Sequence, residues 1–202
     1  MHGHLRSLAA ALELTDAGRV EEWGVLAAGR LGAGHRLFGC GNGGSAAEAQ
    51  HLTAELTGRF EGEREPLSAI ALHAETSSVT AIANDYGYRR VYERQLRAHA
   101  RSGDLLVCMS TSGSSANVLA AAEAARELGV LCWSLTGPGP TVLESLSDET
   151  VAVPAPDTST VQEVHLALVH VFCSGVERGL RERAASVPPP REAAAARERG
   201  TA

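Results

Sequence analysis

A three-layer α/β sandwich is the fold class this sequence predicts: a five-stranded parallel sheet between helices, with a helical flank at the N-terminus. Three observations carry the prediction. Short apolar runs recur along the chain, helical patterns separate them, and glycine- or serine-rich turns follow the runs; such alternation gives parallel strands covered on both faces. The chain has 202 residues and 44% hydrophobic content, enough to bury one substantial core. Residues 1–185 are therefore expected to form one domain.

The elements are expected in this order. From His4 to about Leu31 apolar residues recur at helical spacing, with Gly18, Gly29 and Gly32 as the expected breaks, so this flank is one long helix or two shorter ones. Strands are expected at 36–40, 68–72, 105–110, 130–136 and 150–153, and helices at 45–56, 88–101, 116–128 and 161–181. From Ser186 onward three consecutive prolines are followed by Ala, Arg and Glu. Segment 186–202 is too poor in large apolar side chains to join a core and is expected to be a disordered C-terminal tail. No internal repeat is apparent.

Bulk properties remove several classes of function. The formal net charge of -6 argues against a nucleic-acid groove, which needs a basic stripe. The sequence contains no lysine, so lysine Schiff-base chemistry and a Walker-type phosphate loop are excluded. Any phosphate must be held by backbone amides, hydroxyls or arginine. No apolar run is long enough to cross a bilayer, and no basic region precedes a hydrophobic stretch at the N-terminus. The four cysteines, Cys40, Cys108, Cys132 and Cys173, are widely spaced among apolar neighbours and read as reduced and buried. A soluble, cytoplasmic protein is the expectation.

In a sheet of this kind ligands sit beyond the carboxyl ends of the strands. Two turns stand there. Gly41-Asn42-Gly43-Gly44-Ser45 follows the first strand and opens a helix, where glycines admit close approach, free amides favour an anion or a sugar edge, and Ser45 suits an N-cap. A tight turn without a ligand explains the same pattern. So would a dinucleotide loop, since Gly39, Gly41 and Gly44 satisfy GxGxxG; however, Glu75, the available acid for a ribose, lies about 30 residues on where about 20 is usual. The second turn, Ser110-Thr111-Ser112-Gly113-Ser114-Ser115, offers hydroxyls and helix amides that can coordinate a phosphate without a cationic side chain, or simply a solvated turn with an N-cap.

A third constellation lies on two helices. His51 and Glu55, four apart, project from one face, as two metal ligands, an acid-base pair or a solvated surface pair. The last helix carries Gln162, His165 and His170 in an apolar pattern. A buried polar group there needs a partner. His165 reads as structural. An ideal helix would separate Gln162 and His170 by about 12 Å along its axis. Gln162 must therefore stand at an irregular helix start, or it is not a ligand.

Taken together, CGNGGSA, HLTAELTGR, ANDYGY, STSGSSANV and QEVHLALVH resemble, in order and spacing over roughly residues 36–180, the phosphoheptose isomerase branch of the sugar isomerase (SIS) fold. The resemblance implies phosphate binding by Ser110, Thr111, Ser112 and Ser115. It implies sugar contacts by Asn42, Gly43, Gly44, Ser45, Glu55, Asn84, Asp85 and Gln162. It implies one Zn2+ per subunit on His51, Glu55, Gln162 and His170, and a homotetramer. The implied reaction converts sedoheptulose 7-phosphate to D-glycero-D-manno-heptose 7-phosphate for nucleotide-activated heptose biosynthesis. It passes through an enediol, with Glu55 as base and His170 as the acid or base on the other side.

The sequence departs from the pattern at Ser159, where many members have an acid; Asp157 lies two positions earlier. Arg59 faces the active site or forms a surface ion pair. The alternatives are a non-catalytic SIS sugar-phosphate sensor, a relative of the protein that associates with the bacterial replication initiator, and a dehydrogenase. NAD binding would mark the last.

Overall fold

The structure, a computed structural model, describes residues 2–186. Its elements are α1 (Gly3–Leu14), α2 (Ala17–Leu31), β1 (Leu37–Cys40), α3 (Gly44–Thr57), β2 (Ala69–Ala71), α4 (Thr76–Tyr86), α5 (Val91–His99), β3 (Leu105–Ser110), α6 (Ala116–Leu128), β4 (Leu131–Thr136), β5 (Glu149–Ala152) and α7 (Thr158–Ser186). Five parallel strands run in the order β2-β1-β3-β4-β5.

The strands divide their side chains between two cores, as the period of two requires. Leu105, Val107 and Met109 of β3 face a cluster with α2, α3 and α7, whereas Leu106 and Cys108 face one with α5 and α6. This is the three-layer sandwich the sequence predicts. All four cysteines are free and buried, and Cys40 and Cys108 meet across β1 and β3 with Sγ atoms 3.6 Å apart.

Three expectations need correction. The N-terminal break is not at Gly18, which lies inside α2 with Gly29, but at Thr15-Asp16. There the Thr15 hydroxyl donates back to Ala11 O at 2.7 Å and Asp16 accepts from Arg19 N–H at 3.0 Å, so local side-chain bonds outcompete continued helix. Nor is α2 a mere flank. Val20, Trp23 and Ala27 are core residues, Trp23 stacks on Trp133 at 5.3 Å, and Gly24 packs so closely on α7 that a Cβ there would stand 2.2 Å from Phe172 O.

Thirdly, α4 stands in a segment where no helix is expected. Its residues include Thr76, Val79, Thr80 and Ile82, β-branched types with weak helix propensity, and none of its residues is fully buried. Glu75 starts it by accepting from the Ser77 and Ser78 amides, and the Ser77 hydroxyl foremost, with those amides, holds the carboxyl down at about 2. A glutamate cap is not among the usual N-cap types, which is why the start of this helix is not marked in the sequence. The expected tail lies outside the described residues except for Ser186, the last residue of α7.

Candidate active site

The sheet order makes β1 and β3 neighbours whose following helices, α3 and α6, cover opposite faces. This is the switch point at which open α/β sheets bind ligands. Both expected loops stand there. Cys40 of β1 pairs with Cys108 of β3, so the chain leaves the sheet side by side into Gly41–Gly43 and Thr111–Ser115.

A reciprocal amide pair joins the loops. Asn42 Nδ2 donates to Asn117 Oδ1 at 2.9 Å, and Asn117 Nδ2 donates to Asn42 Oδ1 at 2.8 Å. Tyr92 adds a third hold, its hydroxyl donating to Gly41 O and approaching Asn42 Oδ1 at 3.2 Å. Burial pushes the Tyr92 phenol upward, so it stays a neutral donor. Asn42 thus has its amide committed to holding the loop. Asn117 and Tyr92 escaped the sequence reading. Asn117 follows the Ser-rich turn directly in STSGSSANV, and an amide on the first turn of an otherwise alanine-rich helix was the available signal.

Helix α3 begins at Gly44 with Gly43 as its cap, so Ser45 is not the N-cap; it lies 3% exposed within the first turn. In the second loop Ser110 is buried, with its Oγ 3.4 Å from Ser115 Oγ. Ser112 Oγ accepts from Ser114 N–H at 3.3 Å and from the Ser114 hydroxyl at 3.1 Å. Gly113 has φ +57, a left-handed conformation, and a Cβ would come within 2.4 Å of Thr141. Ser115 caps α6 without a side-chain bond. Of the first-turn amides of α6, that of Val118 is taken by Ser115 O and Asn117 Oδ1 at 3.0 Å, while those of Ala116 and Asn117, as at any helix start, lack an intrahelical acceptor beside these hydroxyls. Among the described residues, the donors that these loops present to an anion are neutral hydroxyls and amides.

Parallel to α3 runs α7. Gln162 lies against Gly44: a Cβ there would meet the Gln162 amide atoms at 2.6 Å. Farther along, His51 Nε2 stands 3.0 Å from His170 Nε2 and 3.4 Å from Glu55 Oε1. The two helices therefore bring His51, Glu55 and His170 together at a partly exposed place, with Phe60 beside His170 at 5.6 Å between ring centroids. One imidazole of the pair must donate and the other accept, which leaves a proton to be moved.

The condition set for Gln162 is not met, because α7 is continuous from Thr158. Asp157 accepts from Thr160 N–H at 2.8 Å and from the Ser159 hydroxyl at 2.8 Å, and the Thr160 amide foremost holds its carboxyl down at about 2. Ser159 is thereby tied to the helix start. The Gln162 amide belongs to the glycine-loop end of the groove, about 12 Å of helix rise from His170.

A divalent ion can be tested against these donors. Tetrahedral zinc with bonds near 2.0–2.1 Å places its ligand atoms about 3.4 Å apart. The 3.4 Å between His51 Nε2 and Glu55 Oε1 matches, and the 3.0 Å between the imidazoles needs a small opening. Among the described residues no three His, Cys, Asp or Glu side chains form a ready cage. The donor types and the measured spacings fit, with a side-chain adjustment.

Asn84 and Asp85 are not brought to this place within one chain. They close α4, exposed, with Asn84 Nδ2 donating to Asp85 Oδ1 at 2.8 Å. The Arg59 guanidinium donates to Glu61 O at 3.0 Å, and among the described residues it forms no ion pair. Arg64, which the sequence reading passed over, closes the end of α3 by donating to Glu55 O at 2.7 Å and Leu56 O at 2.9 Å.

The SIS domain family matches residues 3–137. The phosphoheptose isomerase of Streptomyces coelicolor is 55% identical over 180 residues, covering 88% of this chain and 78% of that protein. The structure of the Neisseria gonorrhoeae phosphoheptose isomerase superposes with a TM-score of 0.78 at 38% identity over 87% of this chain and 93% of that one. One from Francisella tularensis gives 0.79 at 31% identity over 86% and 92%. With 86–88% of this chain covered, these similarities extend beyond residue 137. With its two loops at the switch point and its histidine-carboxylate cluster between α3 and α7, the chain belongs to the phosphoheptose isomerases of the SIS domain family.

Proposed function

We propose that the protein is the aldose-ketose isomerase that interconverts sedoheptulose 7-phosphate and D-glycero-D-manno-heptose 7-phosphate, supplying nucleotide-activated heptose. The observation that carries the reading is the convergence of His51, Glu55 and His170 beside a groove whose far end offers neutral anion donors. The phosphate rests among Ser110, Thr111, Ser112, Ser115 and the α6 amides. Gly43, Gly44, Ser45 and Gln162 line the sugar chain, with Asn42 holding their loop in register through Asn117.

The reaction moves a proton between C1 and C2. Glu55 takes the C1 proton of the open-chain ketose; Oε1 faces His51, and the second oxygen is left for this work. His170, on the opposite helix, passes a proton to the enediol on the other side. His51, Glu55 and His170 would hold one Zn2+ per subunit, and Gln162 stays with the sugar at the glycine-loop end of the groove. The ion when bound supplies Lewis-acid polarisation of the carbonyl.

Asn84 and Asp85 reach substrate from a neighbouring subunit of a homotetramer, a reading supported by their exposure at the end of α4. A cytoplasmic location fits the four free thiols, and among the described residues no helix is long and apolar enough to cross a membrane.

The relatives' shared name and the retained Glu55 and His170 favour the enzyme over a binding-only SIS protein. The test is purified protein with zinc and sedoheptulose 7-phosphate. Wild type forms the aldoheptose phosphate, and Glu55→Gln does not while keeping the wild-type urea midpoint. Full turnover in Glu55→Gln would remove the mechanism.

A further inference from the structure

One buried pair of titratable side chains stands outside this chemistry. Glu48, on α3 one turn before His51, is 7% exposed, and His165, on α7 between Gln162 and His170, is 0% exposed. Glu48 Oε2 lies 3.8 Å from His165 Nδ1, and neither atom has a hydrogen-bond partner. An unpaired buried polar atom is costly, and two that face each other call for a shared proton.

The tautomer follows from the other ring nitrogen. His165 Nε2 lies 3.1 Å from Thr136 O, and a carbonyl only accepts, so Nε2 carries the hydrogen. Nδ1 is then a bare lone pair. A carboxylate opposite it repels; a carboxylic acid can donate to it. Burial acts in the same sense, raising Glu48 to about 7 and lowering His165 to about 4. No other charged group enters either balance: desolvation alone moves Glu48, and only the Thr136 carbonyl opposes it at His165. On α3 the nearest titratable neighbour along the chain is His51, three residues on.

We propose that Glu48 and His165 form a one-proton clasp, the carboxylic acid donating to Nδ1, that positions α3 against α7 and so sets the groove between them. The clasp joins three parts of the site. Helix α3 carries His51 and Glu55, and α7 carries Gln162 and His170. Thr136 precedes Gly137, whose amide donates to Thr111 O of the Ser-rich loop at 3.1 Å. Closing the present 3.8 Å to hydrogen-bond distance takes a few tenths of an ångström from each side chain. Both are positioning residues, since neither touches substrate. The catalytic consequence rests on the isomerase reading; the clasp itself does not.

Two measurements separate the two. The first is the 15N NMR spectrum of His165 in the full chain, which reads the tautomer without substrate. Nε2 is expected to be protonated and Nδ1 bare but hydrogen-bonded from ~pH 6, with Nδ1 shifting as Glu48 loses its proton. A protonated Nδ1, or an Nδ1 indifferent to Glu48→Ala, overturns the clasp even if the protein is inactive.

The second is the pH profile of kcat for wild type, Glu48→Gln and Glu48→Ala. Gln keeps a donor for Nδ1 at every pH. Its kcat should stay within about twofold of wild type near neutrality and should lack the decline wild type shows toward ~pH 9. Ala should lose about tenfold in kcat with KM little changed. Gln as impaired as Ala, Ala within twofold of wild type, or parallel wild-type and Gln profiles would each overturn the positioning role.

Discussion

Replacing Asn117 with alanine removes the tie between the two substrate loops, and its effect can be worked out from three hydrogen bonds. Asn117 exchanges two bonds with Asn42, at 2.9 and 2.8 Å, and its Oδ1 also accepts from Val118 N–H at 3.0 Å. Each neutral bond contributes about 1 kcal/mol net. Asn42 is half-buried and water can replace part of the loss, while Asn117, at 3% exposure, leaves a small void. The expected destabilisation is about 1–3 kcal/mol. Activity should fall further than stability implies. Misplacing a substrate loop by an ångström costs on the order of 100-fold in rate. The assay is a double-mutant cycle with Asn42→Ala, followed by urea unfolding and by heptose phosphate isomerisation. A coupling of about 1–2 kcal/mol between the two sites is expected, because the residues share both bonds. Additive effects in the cycle, or Asn117→Ala with wild-type turnover, would refute the claim that this pair holds the loops together.

Three further outcomes follow from the same geometry. Gly113→Ala should lower stability by about 1–3 kcal/mol and weaken substrate binding, since the residue has φ +57 and its Cβ would press on Thr141; urea titration and KM check this. Glu48→Gln should gain stability relative to wild type as pH rises from about 4.5 to about 7 and then level off. The wild-type carboxyl keeps in the fold a proton that the unfolded chain gives up over that window, a difference of at most about 3 kcal/mol. Added Zn2+ should raise the melting temperature of wild type and not of His51→Ala, and a chelator should reverse the gain, as calorimetry would show.

Most of the scaffold was legible because parallel strands buried on both faces read as continuous apolar runs. Leu105–Ser110 was found to the residue, and the strands at 36–40 and 130–136 begin one residue later in the structure. Helix α4 was not legible: Val79, Ile82, Ala83 and Tyr86 do fall at helical spacing, but they stand among β-branched and serine residues of weak helix propensity, and none of them is fully buried within the chain. The partnership of His51 and Glu55 could be read from helical spacing, whereas that of His51 and His170, 119 positions apart, needed the fold. Ser45 shows the limit of turn chemistry, for Gly43 reached the cap geometry and left the serine buried. Asn117 and Tyr92 were missed for a related reason. Their work is to hold Asn42 and Gly41, and such second-layer bonds leave no mark in local sequence pattern.

The proton transfer itself is the most direct point of test. Run in D2O with sedoheptulose 7-phosphate, the wild-type enzyme should yield an aldoheptose 7-phosphate carrying solvent deuterium at C2, seen by proton NMR, and Glu55→Gln should yield none. Conversion that proceeds equally in both proteins, or the absence of any conversion by zinc-loaded wild type, would contradict an enediol reaction carried by the cluster between α3 and α7.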